Sequence, residues 1–262
     1  MNEFNYVLTE RNRDTVTVWL NRPERLNVLS LELMTELTQV FGDVGESDAT
    51  GVILGAKGRL FCAGHDFAEM AGQDLASVQR LFGACTLMMQ TIQSIPQPVV
   101  ARVHALATGA GCQLAATADL VVAGEDATFC LPGGRGGLFC TTPLVAVGRS
   151  IGPKRALEMA MSGDAIDAET AREWGLVNAV VPTSELDAAT STMIRRVTRG
   201  SAVSKGIGKR AFYGQIAMDQ DDAYAFATDI MASASLHADA QESMNAFIEK
   251  RQPHFGRSSR TE

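Results

Sequence analysis

An α/β fold with a helical C-terminal region is the class this chain predicts, on three observations. Two apolar strands, Gly51 to Gly55 and Val99 to Val103, each run into a small-residue turn and then a helix start. Upstream, Tyr6 to Glu10 and Thr15 to Leu20 alternate apolar and polar residues, the pattern of a hairpin. Downstream, helical periodicity holds from Glu185 to Lys250. A chain of 262 residues holds one large domain or two small ones, and the division expected is a core over 1–195 and a helical region over 196–262.

Each element has a local reason. Arg11-Asn12-Arg13-Asp14 separates the hairpin strands, and Asn21 to Asn27 forms a loop. Ser30 caps a helix that sets Leu31, Met34, Leu37, Val40 and Phe41 on one face. Asp74 to Ile95 reads as a long helix whose Met88 and Met89 belong to a core stripe. Pro96 and Pro98 stop that helix and open the central strand. The turn Ala107 to Gly111 follows, then a helix from about Cys112 to Ala118 and a strand from Leu120 to Ala123. Asp167 caps a later helix, and Gly200, Gly206, Gly208 and Gly214 mark breaks in the helical C-terminal part.

Composition excludes several classes of function. The net charge is −7 with no long basic run, which argues against a nucleic-acid face. No apolar run reaches about 18 residues, so no membrane span is expected. The N-terminal MNEFNYVLTE has neither a secretory nor a transit layout, and a cytoplasmic location is expected. Five cysteines, with no CxxC pair and no histidine at ligand spacing, read as reduced apolar side chains without a metal site.

The chemistry points to the two turns. Gly109 and Gly111 let the backbone bend and approach a ligand, and helix-start N–H groups can hold an oxyanion. Both turns lie at carboxyl ends of buried strands, where α/β folds bind ligands. Neither spells GxGxxG, and no acidic ribose reader follows, which sets aside a dinucleotide domain.

Phe61-Cys62-Ala63-Gly64-His65-Asp66-Phe67 and the stretch His104 to Ala115 resemble the two motifs of the crotonase, or enoyl-CoA hydratase/isomerase, superfamily. The Asn21-Arg22-Pro23 loop, the Ile151 to Met159 helix, the Trp174 to Pro182 strand and the terminal Phe247-Ile248-Glu249-Lys250-Arg251 extend the likeness over nearly the whole chain. Gly64-His65-Asp66, Leu106 to Leu114 and Gly137 to Pro143 resemble one branch of it, that of enoyl-CoA hydratase domain-containing protein 3.

The resemblance implies a spiral of ββα units with a helical C-terminal trimerisation region, hence a homotrimer or a dimer of trimers. It implies an acyl-CoA thioester as ligand, with no cofactor beyond the coenzyme A of that substrate. It puts two backbone oxyanion donors on His65 and Ala110. The positions of the usual glutamates hold Gln113 and Gly133, so weak hydration is expected. Replacing both by glutamate is expected to raise hydration if the pocket has room, with a positive φ at Gly133 as the foreseen obstacle. Arg25, Ala63, Asp66, Phe67, Phe247 and Lys250 are the expected coenzyme A contacts. Asp66 reads equally as a helix cap, Arg25 and Arg135 as surface arginines, Cys140 as core, and His104 and Asp119 as structural. The His65 side chain is either catalytic or turned toward the coenzyme A channel. An enzyme acting on acyl-CoA and a binding protein that has lost catalysis both fit these residues.

Overall fold

The computed structural model describes residues 4–256; residues 1–3 and 257–262, at the ends of the two expected units, lie outside them. Strands β1 (Val7–Asn12) and β2 (Thr15–Leu20) pair antiparallel, turning on Arg13 at φ +54°. The expected four-residue separator is therefore shorter, because β1 pairs through to Asn12 opposite Thr15. Helix α1 (Leu31–Glu46) follows its cap Ser30, whose side chain accepts from the Leu33 amide. Then come β3 (Gly51–Ala56), α2 (Leu75–Ser94) with its cap Asp74, and β4 (Val99–Val103). Next are β5 (Ala107–Thr108), α3 (Ala110–Thr117), β6 (Leu120–Gly124) and β7 (Thr128–Cys130). Helices α4 (Pro143–Ile151) and α5 (Pro153–Ser162) precede β8 (Ile166–Asp167), α6 (Ala168–Trp174) and β9 (Ala179–Val181). The chain ends in α7 (Leu186–Val197), α8 (Ala202–Gln215), α9 (Gln220–Ser235) and α10 (Ala238–Ile248).

One sheet runs β1-β2-β3-β4-β6-β9, parallel after the first pair; a smaller one runs β5-β7-β8. The spiral follows from how the chain alternates between them. After β4 in the large sheet the chain adds β5 to the small sheet and turns into α3; β6, β7 and α4 repeat the step. After β3, Cys62 makes a parallel bridge to Ala107 before the chain reaches α2, a shorter version of the same unit. Every residue of β3 is buried, as a central parallel strand covered on both faces must be. One face meets the main core of Leu33, Leu37, Phe41, Leu54, Met88 and Leu114. The other is covered by α7, whose Leu186, Met193 and Ile194 pack on Ile53, Val100 and Val122.

Some expectations need correcting. Leu31 is exposed: at the first turn of α1 it faces out, while Leu33 takes the core place. Helix α3 starts two residues before Cys112, at Ala110, because Gly109 completes the turn by itself at φ 56° and ψ −120°. Of the four C-terminal glycines only Gly200 marks a break, at φ +87°. Gly206, Gly208 and Gly214 lie within α8; a Cβ at Gly206 would stand 2.6 Å from Pro96 and one at Gly214 3.0 Å from Phe226, so these two permit close packing. The later helix junctions fall at Asp219, ahead of α9, and at His237, whose side chain accepts from the Asp239 amide at the start of α10.

Helix α8 is fastened to the core by a buried polar cluster. Asp119 accepts from the Val99 amide at 2.7 Å, the Tyr213 hydroxyl at 2.8 Å and the Lys209 ammonium at 2.7 Å. Lys209 also donates to the carbonyls of Ile92, in the last turn of α2, and of Gln97, just ahead of β4. Burial lowers the Lys209 pKa and raises that of Tyr213. The cluster confirms Asp119 as structural.

Candidate active site

The first turn, residues 61–66, is threaded between two others. The Phe61 and Cys62 amides donate to the Leu106 carbonyl, and Thr108 donates back to Cys62. On the other side Ala63 donates to Leu26, Leu29 donates to the Gly64 carbonyl at 2.7 Å, and Asp66 donates to Leu29. In a parallel bridge of this kind the flanking residues make the bonds, so the His65 N–H faces away from Leu29. The Leu26–Asn27 corner that holds the turn is left-handed at both residues, with φ 56° and 52°. Asn27 fixes it. Its side-chain N–H₂ donates to the carbonyls of Lys57, Leu60 and Phe61, and its Oδ1 accepts from the Arg22 amide.

The second turn meets the first. Gly64 has φ +87°, and a Cβ there would stand 3.0 Å from the Thr108 carbonyl oxygen and 3.4 Å from the Ala110 nitrogen. A Cβ at Gly111 would stand 2.3 Å from the Cys62 carbonyl oxygen. Glycine at both places lets the backbones touch. Gln113 is the first α3 residue to donate back along the helix, to Gly109, so the Ala110 N–H at the helix start has no intrahelical partner.

Around this junction stand His65, Gln113 and the buried cysteines. The His65 ring stands edge-on to Phe82 of α2, with centroids 5.0 Å apart, and neither ring nitrogen makes a hydrogen bond in the chain. Burial pushes its pKa below the ordinary value, and the Leu29 carbonyl opposes this to a smaller extent. Gln113 is 6% exposed and its Oε1 has no partner. Burial raises every cysteine thiol, Cys62 and Cys85 to about 12, which makes them poor nucleophiles. Cys140 accepts the Gly133 amide at 3.3 Å and is packed in the core.

Gly133 departs from expectation in the obstacle it presents. It is not among the residues with positive φ. A Cβ there would lie 2.0 Å from the Leu138 carbonyl oxygen and 2.7 Å from the Cys140 sulfur. The Leu138 amide donates to the Gly133 carbonyl, closing the loop over its own glycine. No side chain fits at 133 without moving that loop.

Arg25, Ala63, Asp66 and Phe67 come together beside the first turn. Asp66 caps the single turn Phe67–Glu69 through the Ala68 amide and pairs with Arg25 at 3.1 Å. Phe67 is 72% exposed, and the Ala63 amide donates to the Leu26 carbonyl. Phe247 and Lys250 lie at the end of α10, which packs on α8 and α9. Arg135 pairs on the surface with Asp164, and His104 bonds the Gly58 carbonyl at 2.8 Å. Asn27, Phe82 and Lys209 are the residues the sequence reading missed. Asn27 had a signal, its place in the Asn21-Arg22-Pro23 motif. Two surface clefts, one against α8 and α9 and one against α7, contain none of the turn residues. Among the described residues no three potential metal ligands cluster, and no helix is long and apolar enough to cross a membrane.

Comparison with known proteins gives this geometry its relatives. The enoyl-CoA hydratase/isomerase family profile matches residues 10–258. The chain is 38% identical to the mitochondrial enoyl-CoA hydratase domain-containing protein 3 of Danio rerio, over 94% of this chain and 86% of that protein. Its fold superposes on an enoyl-CoA hydratase of Mycobacterium smegmatis with a TM-score of 0.91 at 41% identity, covering 95% of this chain and 98% of that one. The human enoyl-CoA hydratase domain-containing protein 3 also gives 0.91, at 34% identity over 96% of this chain and all of the other. With its alternating ββα units, its two apposed glycine turns and these relatives, the chain belongs to the enoyl-CoA hydratase/isomerase family, the crotonase superfamily, in the branch of enoyl-CoA hydratase domain-containing protein 3.

Proposed function

We propose that the junction of the two turns binds an acyl-CoA thioester with its carbonyl oxygen between the N–H groups of His65 and Ala110. The observation that supports this is the close approach of the two turns: a Cβ at Gly64 would stand 3.4 Å from the Ala110 nitrogen, and Ala110 opens α3. Such a pair of N–H groups polarises the thioester and stabilises an enolate, each donor contributing roughly 3 kcal/mol. Arg25, Ala63, Asp66 and Phe67 receive the adenine and phosphates in this reading. Phe247 and Lys250 close that end from a neighbouring subunit of a homotrimer or dimer of trimers. The reaction uses no cofactor beyond the coenzyme A of its substrate. The buried free thiols suit a reducing compartment; the cytosol is our reading, and the word mitochondrial in the vertebrate relatives' names supplies the alternative.

Hydration in this site is weak. Gln113 cannot take a proton near neutral pH, and position 133 offers no side chain. A non-catalytic acyl-CoA-binding protein is the second reading, favoured by the closed loop over Gly133. Two measurements test the proposal. Bound cinnamoyl-CoA should shift its absorbance to the red, and crotonyl-CoA should hydrate about 10³-fold or more below an ordinary enzyme of the family. Binding without a shift would remove the oxyanion donors. Turnover at about 10 per second, ordinary for enzymes, would refute the missing-carboxylate argument.

A further inference from the structure

The peptide unit that carries the His65 N–H is gripped at its other end. Its carbonyl, that of Gly64, accepts the Leu29 amide at 2.7 Å. A trans peptide is planar with its C=O and N–H opposed, so the direction of this one bond sets the direction of the His65 N–H. A carbonyl that accepts a hydrogen bond also makes the N–H of its own unit a stronger donor. The Ala110 N–H is loaded in the same way, through the Gly109 carbonyl, which accepts from Gln113 at 3.1 Å. The regular geometry of α3 holds that second bond. The first depends on whatever holds Leu29.

Leu29 follows the left-handed corner at Leu26 and Asn27. Such backbone is costly for a leucine and persists where the surroundings over-determine it. Here Asn27 does so. It is 1% exposed; its Nδ2 donates to the carbonyls of Lys57 at 2.8 Å and of Leu60 and Phe61 at 3.3 Å, and its Oδ1 accepts the Arg22 amide at 2.9 Å. Its own amide donates to the Arg22 carbonyl at 3.0 Å, and its carbonyl accepts the Cys62 thiol at 3.1 Å. These bonds close the loop on itself through Arg22 and tie it to residues 57–62, the chain that enters the first turn. We propose, resting on the acyl-CoA reading above, that Asn27 is a positioning residue for the reacting carbonyl: by fixing the corner it aims the Leu29 amide at Gly64, and through that peptide unit it aims the His65 N–H at the thioester oxygen. The Cys62 thiol holds the same corner from the side of the turn. Asn27 itself touches no substrate. Its loss leaves the site in place and turns one of the two donors out of line.

The test reads the absorbance of cinnamoyl-CoA bound at saturation to the full-length protein, so that a change in affinity does not enter. Asn27→Gly keeps a residue at ease with φ +52° and removes the side chain alone. With one of two donors out of line, about half of the native red shift should be lost. Cys62→Ala should lose part of the shift, and Cys62→Ser, whose hydroxyl can donate to the same carbonyl, should keep it. Lys209→Met, which loosens α8, should keep the shift whole and so separates aim from stability. Thermal melting checks each fold, and the Cys62 pair decides alone should Asn27→Gly not fold. A native shift in Asn27→Gly, or in Cys62→Ala should that pair decide, overturns this inference and leaves the acyl-CoA reading standing. So does a loss in Cys62→Ser as large as in Cys62→Ala, or one in Lys209→Met as large as in Asn27→Gly. Bound cinnamoyl-CoA without a shift in the native protein overturns the oxyanion donors and this inference together, and binding of no thioester overturns the whole reading.

Discussion

A carbonyl oxygen 2.0 Å from the place of a Cβ leaves glycine as the residue that position 133 accepts. Gly133→Glu should therefore destabilise the protein by roughly 3 kcal/mol, at the upper end of overpacking effects, read as a lowered melting temperature. Gln113→Glu meets no such wall. Alone it should raise crotonyl-CoA hydration by about 10²-fold, the lower figure for one positioned acid or base; an unchanged rate would show that Gln113 does not face Cα or Cβ. His65 gives a pH dependence with a definite sign. Its folded pKa is below the ordinary 6.5, so the unfolded chain takes up a proton first as pH falls. The stability it supports is complete above pH 6.5 and is lost as pH falls from there toward the folded value. Denaturant titrations from pH 7.5 to 5 should show a steeper loss for the native protein than for His65→Gln, with His104, shifted the same way, as a background common to both. Parallel curves would mean that His65 is not neutral in the fold.

Among the elements, α8 depends on one lysine. Removing a partner from a buried ion pair strands the other charge, which costs about 3–5 kcal/mol. Lys209→Met should lower the melting temperature by on the order of 10 °C. A change within error would show that the Asp119 bonds to Val99 and Tyr213 suffice. Elements whose signal is local were readable from the sequence. The strand–turn–helix units announce themselves by apolar runs ending in small residues, and two helix starts by the capping places of Ser30 and Asp167. Lys209 was not readable, because a lysine on a helix reads as solvated until a distant aspartate is folded beside it. The glycines of α8 misled for a similar reason: Gly206 is small because Pro96 lies against it, a contact far away in sequence. At the site, the two glycine turns were readable from the motifs. The crowding at Gly133 was not, since it comes from the fold of the next five residues back over it.

For the molecule as a whole, the C-terminal helices leave Phe212, Ile216, Met231, Leu236 and Phe247 exposed, apolar surface that a lone chain rarely shows. Light scattering at micromolar concentration should give a mass three or six times the 28.0 kDa of one chain. Leu236→Asp with Met231→Asp should lower it toward the single-chain value, and a monomeric native protein would remove the trimer from the proposal. The relatives and the spiral were foreseeable because the two glycine turns sit where ββα units lead into their helices and the other motifs are spread along the whole chain.

The closed loop at Gly133 also bears on how this lineage can change. A glycine codon becomes a glutamate codon by one base substitution, so a carboxylate at 133 is close at hand genetically. Physically it is remote, since the Leu138 carbonyl and the Cys140 sulfur occupy the space that such a side chain needs. Loop changes in residues 134–140 would have to come first, and they bring no catalytic gain until the glutamate arrives. The order of steps keeps glycine at 133 in place for as long as the loop closes over it.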